Sequence, residues 1–458
     1  MIDLSTVTDI KLGGTPVEQI TDSQNNLLWS AAPIVLLDYF YVEDISGSDS
    51  TLSIIKTNAN APSVGVYMST DRINWASMGT TDTTAITATI PANGKLYLRA
   101  NINKWGNSGY YNKISVTGNY NVGGNIMSLL YGNRFVDKTS ILDYSFTGLF
   151  NGDTKLVNAN DLILPATTMR NNCYDSMFQG CSSLITTPVL SATALAYHCY
   201  SSMFSGCSSL TTAPALPATT LESACYAQMF QFCTALTTAP VLPATTLATH
   251  CYSAMFQDCR ALTTAPALPA TTLTDYCYAN MFNGCSALTT APALPATTLT
   301  NQCYYWMFKN STNLSSVTTY ATDISASNCL HEWLDSVAAT GDFYNMGGAT
   351  YTSGASGIPT GWTEHTPSVP INVTIINTDS YTGATYQIDS ETAQPVNVTG
   401  NTTFTVPTTA TTLTVNRNGK GETSITGVSG MNTDTEFVVV IPVQDMSSNV
   451  TIEFISLM

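Results

Sequence analysis

The chain has 458 residues, 44% hydrophobic and only 10% charged, with 15 Lys and Arg against 31 Asp and Glu for a net charge of −16. The charged share is far below the ~25% of an ordinary domain, and polarity comes from Thr, Ser, Asn and Gly instead. That apolar content excludes a disordered chain, and the lack of any basic cluster excludes binding to nucleic acid or an anionic membrane, which needs cations to neutralise phosphates.

In chain order, Met1-Ile2-Asp3-Leu4-Ser5 lacks a basic stretch followed by an apolar one, so no secretory signal is expected. No apolar run approaches the ~18 residues of a spanning helix, so no membrane insertion is expected. Residues 1–33, with Ile10-Lys11-Leu12-Gly13-Gly14 and Leu27-Leu28-Trp29, read as an extended attachment arm. Between 34 and 122, alternating runs such as Val64-Gly65-Val66-Tyr67 and Lys95-Leu96-Tyr97-Leu98-Arg99 are broken by turn signals such as Pro91-Ala92-Asn93-Gly94. That pattern predicts a β-sandwich. Residues 367–458 read as a second one, from Asn372-Val373-Thr374-Ile375-Ile376 and Glu436-Phe437-Val438-Val439-Val440-Ile441, with Pro367 and Pro370 marking the linker.

Between them lies a 26-residue repeat, with six clear copies over 162–320. Cys199-Tyr200-Ser201-Ser202-Met203-Phe204 returns as Cys225-Tyr226-Ala227-Gln228-Met229-Phe230, again at Cys251, Cys277 and Cys303, and begins at Cys173. Cys, Met and Phe at i, i+4 and i+5 suit one face of a short helix. The Thr-Thr pair after each Leu, as in Leu210-Thr211-Thr212, suits a short strand, and the flanking Pro214 and Pro217 end it because Pro cannot donate to a ladder. One copy cannot bury its Met, Phe and Leu alone, but stacked copies can. The predicted class is therefore α+β, a central leucine-rich-repeat-like solenoid flanked by N- and C-terminal β-sandwich domains. Its ends are atypical: residues 123–161, with Phe146-Thr147-Gly148-Leu149-Phe150, form an N-cap. Residues 321–366, with Cys329-Leu330-His331-Glu332-Trp333-Leu334, form a C-cap.

All twelve Cys fall between 173 and 329 in two columns spaced by 26 residues, one starting at Cys173 with seven members and one at Cys181 with five. Both columns are odd, so pairing within a column always leaves a thiol over. Cys173 and Cys181 are about 12 Å apart if the segment is helical, too far to bridge. The columns read as buried, reduced Cys acting as small apolar residues. No CxxC pair or Cys/His cluster suggests a metal.

The core Phe204-Ser205-Gly206-Cys207-Ser208-Ser209-Leu210 and its copies resemble the BspA-like class of leucine-rich repeats, with Ser311 replacing Cys in the copy from Phe308 to Leu314. The order of parts is also similar to virion appendage proteins of gut Bacteroides phages, crAss-like phages included. Asp9-Ile10-Lys11-Leu12-Gly13-Gly14, Gly123-Gly124-Asn125-Ile126-Met127-Ser128-Leu129-Leu130-Tyr131-Gly132 and Gly357-Ile358-Pro359-Thr360-Gly361-Trp362 carry that similarity. The resemblance implies a fibre or adhesin role and names no ligand.

No GxSxG elbow, HExxH or P-loop is present. His198 and His250 each precede a repeat Cys, but neighbours on a helix point about 100° apart, so His198 and Cys199 do not read as a nucleophile pair. The acids from Glu43-Asp44 to Asp49 read as solvated loop acids and not as a Ca²⁺ site. No catalytic residue, cofactor or metal is expected. The positions that vary between copies read as solvent-facing, among them Tyr197, Phe232, Tyr276, Tyr305 and Trp306. Exposed aromatics of this kind stack on sugar rings or anchor a protein partner. The expected function is a non-enzymatic virion fibre or decoration protein. It would attach to other virion proteins through its N-terminal region, bind a host glycan or protein, and assemble as a homo-oligomer, by analogy a trimer. The alternative is a bacterial cell-surface adhesin of BspA-like type.

Overall fold

The computed structural model describes residues 38–366 throughout, strand pairs between 11 and 30, and the strands with short adjoining stretches between 371 and 455. Most of the proposed arm, the linker prolines Pro367 and Pro370, and Glu436-Phe437 lie outside the described residues. The chain divides into a unit ending at His365 and a unit starting at Thr366.

From residue 38 the first unit runs through nine strands: β1 (Tyr41–Asp44), β2 (Ser50–Lys56), β3 (Gly65–Ser69), β4 (Ala76–Thr80), β5 (Ile86–Ile90), β6 (Lys95–Ala100), β7 (Gly106–Asn107), β8 (Tyr110–Val116) and β9 (Tyr120–Asn125). Period-2 alternation puts Leu52, Ile54 and Ile114 of one sheet and Val42, Val66 and Leu98 of the other into a shared core. One sheet runs β7-β8-β2-β5 and the other β10-β9-β1-β6-β3-β4, where β10 (Leu156–Ile163) joins parallel to β9. That strand belongs to the first repeat-like segment, so the repeats grow directly from the edge of the sheet.

The repeats correct the expected class. The chain is mostly β, and α+β with helical content does not hold. Among the described residues the only α-helix is the single turn Ser128–Tyr131 (α1), beside a 3-10 turn at Gly132–Arg134. The repeats do not close as a leucine-rich-repeat solenoid of strand and helix. Each Cys-Tyr-x-x-Met-Phe segment is a run of tight turns with a period of four. Cys173 and Tyr174, then Met177 and Phe178, point inward, while Asp175, Ser176, Gln179 and Gly180 point outward.

The backbone bonding explains this period. Met177 N–H donates three residues back to Tyr174, whereas Tyr174 and Phe178 N–H donate to Cys199 and Met203 in the next copy. Alternate amides thus close turns and link successive copies, which stack as tiers. Such turns need one residue in four in the left-handed region, and Asn172, Ser176 and Gly180 have φ of 54°, 55° and 72°. The same three positions recur in tiers that start at Tyr144, Asn172, His198, Ala224, His250, Tyr276, Gln302 and Asn328. None of them carries Thr, Val or Ile, although Thr is abundant, because a branched Cβ clashes most at positive φ. Over two inward pairs the 4-residue period and a 3.6-residue helix look alike, which is why the helix was expected.

The expected Thr-Thr strands shrink to single parallel bridges such as Thr212↔Thr238 and Thr220↔Thr246. Pro214 and Pro217 remove the donors that would extend them. Full pairing returns only at the end, where β11 (Ser316–Thr319), β12 (Gly341–Asn345) and β13 (Trp362–His365) form a parallel sheet.

Stacking tiers in register builds two aromatic ladders. Tyr174, Tyr200, Tyr226, Tyr252, Tyr278 and Tyr304 stack at 5.8–6.2 Å between centroids, and Phe178 to Phe308 at 5.5–5.8 Å. These separations with near-parallel planes are offset stacks, which favour a ring's edge over its neighbour's face. The ladders start at Phe146 and Phe150, and Phe150 meets Phe40 of the strand region at 6.2 Å. They end on Trp333, which stacks on Tyr304 and tilts against Phe308.

All twelve Cys are free and buried. The second column has a task that its position does not advertise: Sγ of Cys207, Cys233, Cys259 and Cys285 each donates to a Phe carbonyl of the preceding tier at 3.1–3.2 Å. Ser311, the departure in that column, makes the same bond through Oγ to Phe282 at 2.8 Å. Serine therefore keeps the inter-tier link that cysteine supplies elsewhere.

The second unit contains β14 (Ile371–Asn377), β15 (Thr385–Ile388), β16 (Gln394–Pro395), β17 (Gly400–Val406), β18 (Thr412–Asn416), β19 (Glu422–Val428), β20 (Val438–Pro442) and β21 (Met446–Ile455). They form sheets ordered β17-β14-β21-β19 and β16-β15-β18-β20. Val373, Ile375, Leu413, Val415 and Ile452 are buried at alternate positions along their strands.

Candidate functional site

The outer face of the tiers is built from columns, one residue per tier. The five aromatic candidates occupy four separate places. Tyr197 is 50% exposed and borders a cleft at the N-terminal end, its ring 4.2 Å from that of His198. Phe232 is 46% exposed and stands by itself on the next tier, at a left-handed position with φ 60°. Tyr276 is half-buried: its ring stacks on His250 at 4.4 Å and its hydroxyl accepts from Gln302 Nε2 at 2.6 Å. Tyr305 and Trp306 sit together near the C-terminal end, also half-buried. Tyr305 stacks on His331, and Lys309 lies over the Trp306 ring at 4.7 Å while pairing with Glu332 and Asp335. These six rings and charges pair with one another, so that cluster is an internally paired surface and offers little free face.

The cleft beside Tyr197 is different. It has a volume of about 370 Å³. One wall is the tip of the β7–β8 hairpin, Ser108 and Gly109, with Tyr111 behind. The other is the outer face of the first three tiers: Tyr144 and Asn151, then Asp175 and Gln179, then Tyr197 and His198. The walls are fixed to one another. Ile114 N–H of β8 donates to Leu149 of the first tier at 2.8 Å, and Trp105 and Gly106 N–H donate to Ser145 and Tyr144. Gly148, at φ 61°, allows this approach, since a Cβ there would stand 2.6 Å from the Tyr111 ring.

Two departures from the repeat fall on this cleft. In the column that Asp175 starts, the next four tiers carry Ser201, Ala227, Ser253 and Ala279. In the column of Tyr197, neighbouring tiers carry Asn171, Ser223, Thr249 and Asp275. Asp175 is therefore the one carboxylate among these copies of its column, Tyr197 the one aromatic among these copies of its own, and both fall where the hairpin faces the stack. Burial pushes the Asp175 carboxyl up to about 6, against the pull of hydrogen bonds from Ser176, Asn172 and Ser201. Burial, and then the charge of Asp175, likewise raises Tyr111. Burial lowers His198, with the charge of His250 acting the same way, so the imidazole is neutral at neutral pH. No Lys or Arg lines the cleft.

Sequence reasoning found Tyr197 here and missed Asp175, Tyr111, Tyr144, Asn151 and Gln179. The signal for Asp175 was present, as the single acid in its column through Ala279. No local signal brings the hairpin to the tiers, because that contact joins residues far apart in the chain.

A carboxyl whose pKa is higher folded than unfolded binds protons more readily in the folded state. Its ionisation therefore costs stability above about pH 6, and the cost fades as pH falls toward 4. Asp175→Asn is expected to raise stability at pH 7 by about 1–2 kcal/mol, below the full value of a two-unit shift because the group is partly exposed to water. The gain should vanish near pH 4. Thermal unfolding at both pH values checks this, and an unchanged melting temperature at pH 7 contradicts it.

The thiols offer no chemistry in this state. Burial pushes Cys199 up to about 12, its side chain faces inward, and the adjacent His198 lies on the outer face, so the two do not form a pair. Asp44, from the acidic loop, is committed to its own fold. Burial works against its ionised form, but bonds from Ser50 and Ser46 hydroxyls and from Asn93 and Gly47 N–H hold its carboxyl below the usual range. Among the described residues no three His, Cys, Asp or Glu converge as metal ligands, and no helix is long and apolar enough to cross a membrane. No family model matches the chain, and no curated protein matches it.

Proposed function

We propose that this protein is a non-enzymatic display and adhesion protein, a fibre or decoration component of a bacteriophage virion. In this reading the N-terminal region attaches it to other virion proteins, the tiers hold a binding surface away from the particle, and assembly is a homo-oligomer, by analogy a trimer. The observation that carries the proposal is the contrast between a uniform interior and a varied exterior. Six tiers repeat Cys, Tyr, Met, Phe and Leu inside, while the outer columns change from tier to tier and expose Tyr197 and Phe232. A framework with interchangeable outer positions suits recognition. The resemblance to BspA-like repeats and to virion appendage proteins of gut Bacteroides phages supports the same role.

Mass spectrometry of purified virions tests it. Peptides from the whole chain are expected at structural-protein abundance. Their absence from particles, with presence on a bacterial envelope, replaces the proposal with a cell-surface adhesin.

A further inference from the structure

We infer that the cleft between the β7–β8 hairpin and the first three tiers binds a neutral saccharide, with a sugar ring on Tyr197 and its hydroxyls on Asp175, Gln179 and Asn151. This deepens the adhesion reading, and rests on it only for the biological use of the site.

Four observations point to this ligand class. The cleft, at about 370 Å³, lies at the small end of the ~300–1,000 Å³ range of small-molecule sites, with room for one or two sugar rings. Its lining joins exposed aromatic surface to planar polar groups. A pyranose needs both, since its C–H face packs on an aromatic ring while its hydroxyls take directed hydrogen bonds. Asn151 Nδ2 donates to Gln179 Oε1 at 2.8 Å, which fixes the two amides side by side. That bond leaves the Gln179 N–H₂ as donor and the Asn151 carbonyl as acceptor, with no further partner for either among the described residues. The Asp175 carboxylate already accepts from Ser176, at 3.3 Å, and from Asn172 and Ser201, and its remaining acceptor capacity suits one sugar hydroxyl.

The charge pattern sets the class. Asp175 is the acidic group of the lining, His198 is neutral at neutral pH, and no cation faces the cleft. A sialylated, sulfated or phosphorylated ligand would bring a second negative charge against Asp175 with nothing to balance it. The two copy-specific departures, Asp175 and Tyr197, supply the carboxylate and the platform, and the hairpin forms the facing wall. The remaining tiers have the framework without this combination. Phe232 is exposed on a tier beyond the cleft, with Asp258 next in its column, but it does not border the cleft that the hairpin walls.

The test is an array of hexose-, N-acetylhexosamine- and fucose-terminated oligosaccharides beside sialylated and sulfated ones, probed with the full chain. Hits are followed by titration calorimetry. Binding confined to neutral glycans is expected. Tyr197→Ala should weaken it at least tenfold, Asp175→Asn should weaken it severalfold, and Phe232→Ala should leave it unchanged, each with an unaltered circular dichroism spectrum. An array without neutral hits overturns the site, as does binding confined to anionic glycans. So does binding that survives Tyr197→Ala or is lost in Phe232→Ala. Because the purified protein is used, a blank array leaves virion membership standing. Conversely, absence from virions leaves a neutral-glycan site standing.

Discussion

Trp333→Ala is expected to destabilise the first unit by about 3–5 kcal/mol, the cost of emptying a large aromatic site in a packed core. Trp333 is fully buried and occupies the position that Met307 holds one tier earlier, since Phe308 N–H donates to Trp333 as Phe282 N–H donates to Met307. The larger ring spans the width of both ladders. It stacks 6.2 Å from Tyr304, tilts against Phe308 at 6.4 Å, and meets Phe343 edge-on at 6.1 Å. Its Nε1 donates to Gly357 at 3.1 Å, tying the closing segment down. Without it, two columns of rings end on a void, and an unsealed stack exposes its core. Thermal and denaturant unfolding measure the loss. Trp333→Phe should cost less, because a ring still covers the ladders and only the Gly357 bond and part of the area are lost. A Trp333→Ala protein with unchanged stability rules out the capping role.

Asp153→Ala is expected to cost about 3 kcal/mol, and to loosen the strand region and the first tiers together. Asp153 is buried where the two meet. Its carboxylate accepts from Tyr120 Oη of β9 at 2.9 Å, from Val116 N–H of β8 at 3.3 Å and from Lys155 N–H at 2.8 Å. Removing it leaves the Tyr120 hydroxyl and a buried amide without an acceptor, each a penalty of about 1–3 kcal/mol. The two regions also share one continuous core, so they should unfold as one. Hydrogen exchange read by mass spectrometry checks this. Faster exchange in β8, β9 and the tiers up to Met177 is the expected result. Loosening of the strands alone would mean that the tiers fold independently of them.

The same junction decides how the cleft works. Were the strand region tethered by a linker, the hairpin and Tyr197 would have no fixed separation. The parallel pairing of β10 with β9 makes the hairpin and the tiers parts of one body. A preformed cleft loses less conformational entropy on binding. The copy-specific Asp175 and Tyr197 then work as a pair because the hairpin wall is held in place.

How far the sequence reached can be judged from particular residues. The repeat length, the inward set of Cys, Met, Phe and Leu, and both atypical ends were legible, because side-chain type alone decides what one tier must bury. That the two Cys columns are core and not crosslinks followed from their odd counts, and all twelve are free. The outward position of Tyr197 and Phe232 was legible from comparing copies, whereas Tyr276, Tyr305 and Trp306 are half-buried by partners in adjacent tiers. Ser311 looked like a lapse in the column until its hydroxyl was seen to make the cysteine's bond. The predicted helix failed at Ser176, Ser202 and Gln228, whose positive φ values no residue preference announces.

The sequence by itself determined the period and the composition of the core, since each copy carries its own apolar set. Only the tertiary structure decided the turn geometry, the ring ladders and the cleft. The turns are stabilised by amides that donate 25 residues ahead, as from Phe178 to Met203, so each such bond joins two stacked tiers and no local residue pattern announces it. The cleft exists because Ser108 and Gly109 come to rest over Asp175 and Tyr197, a meeting fixed by packing between residues that no local pattern connects.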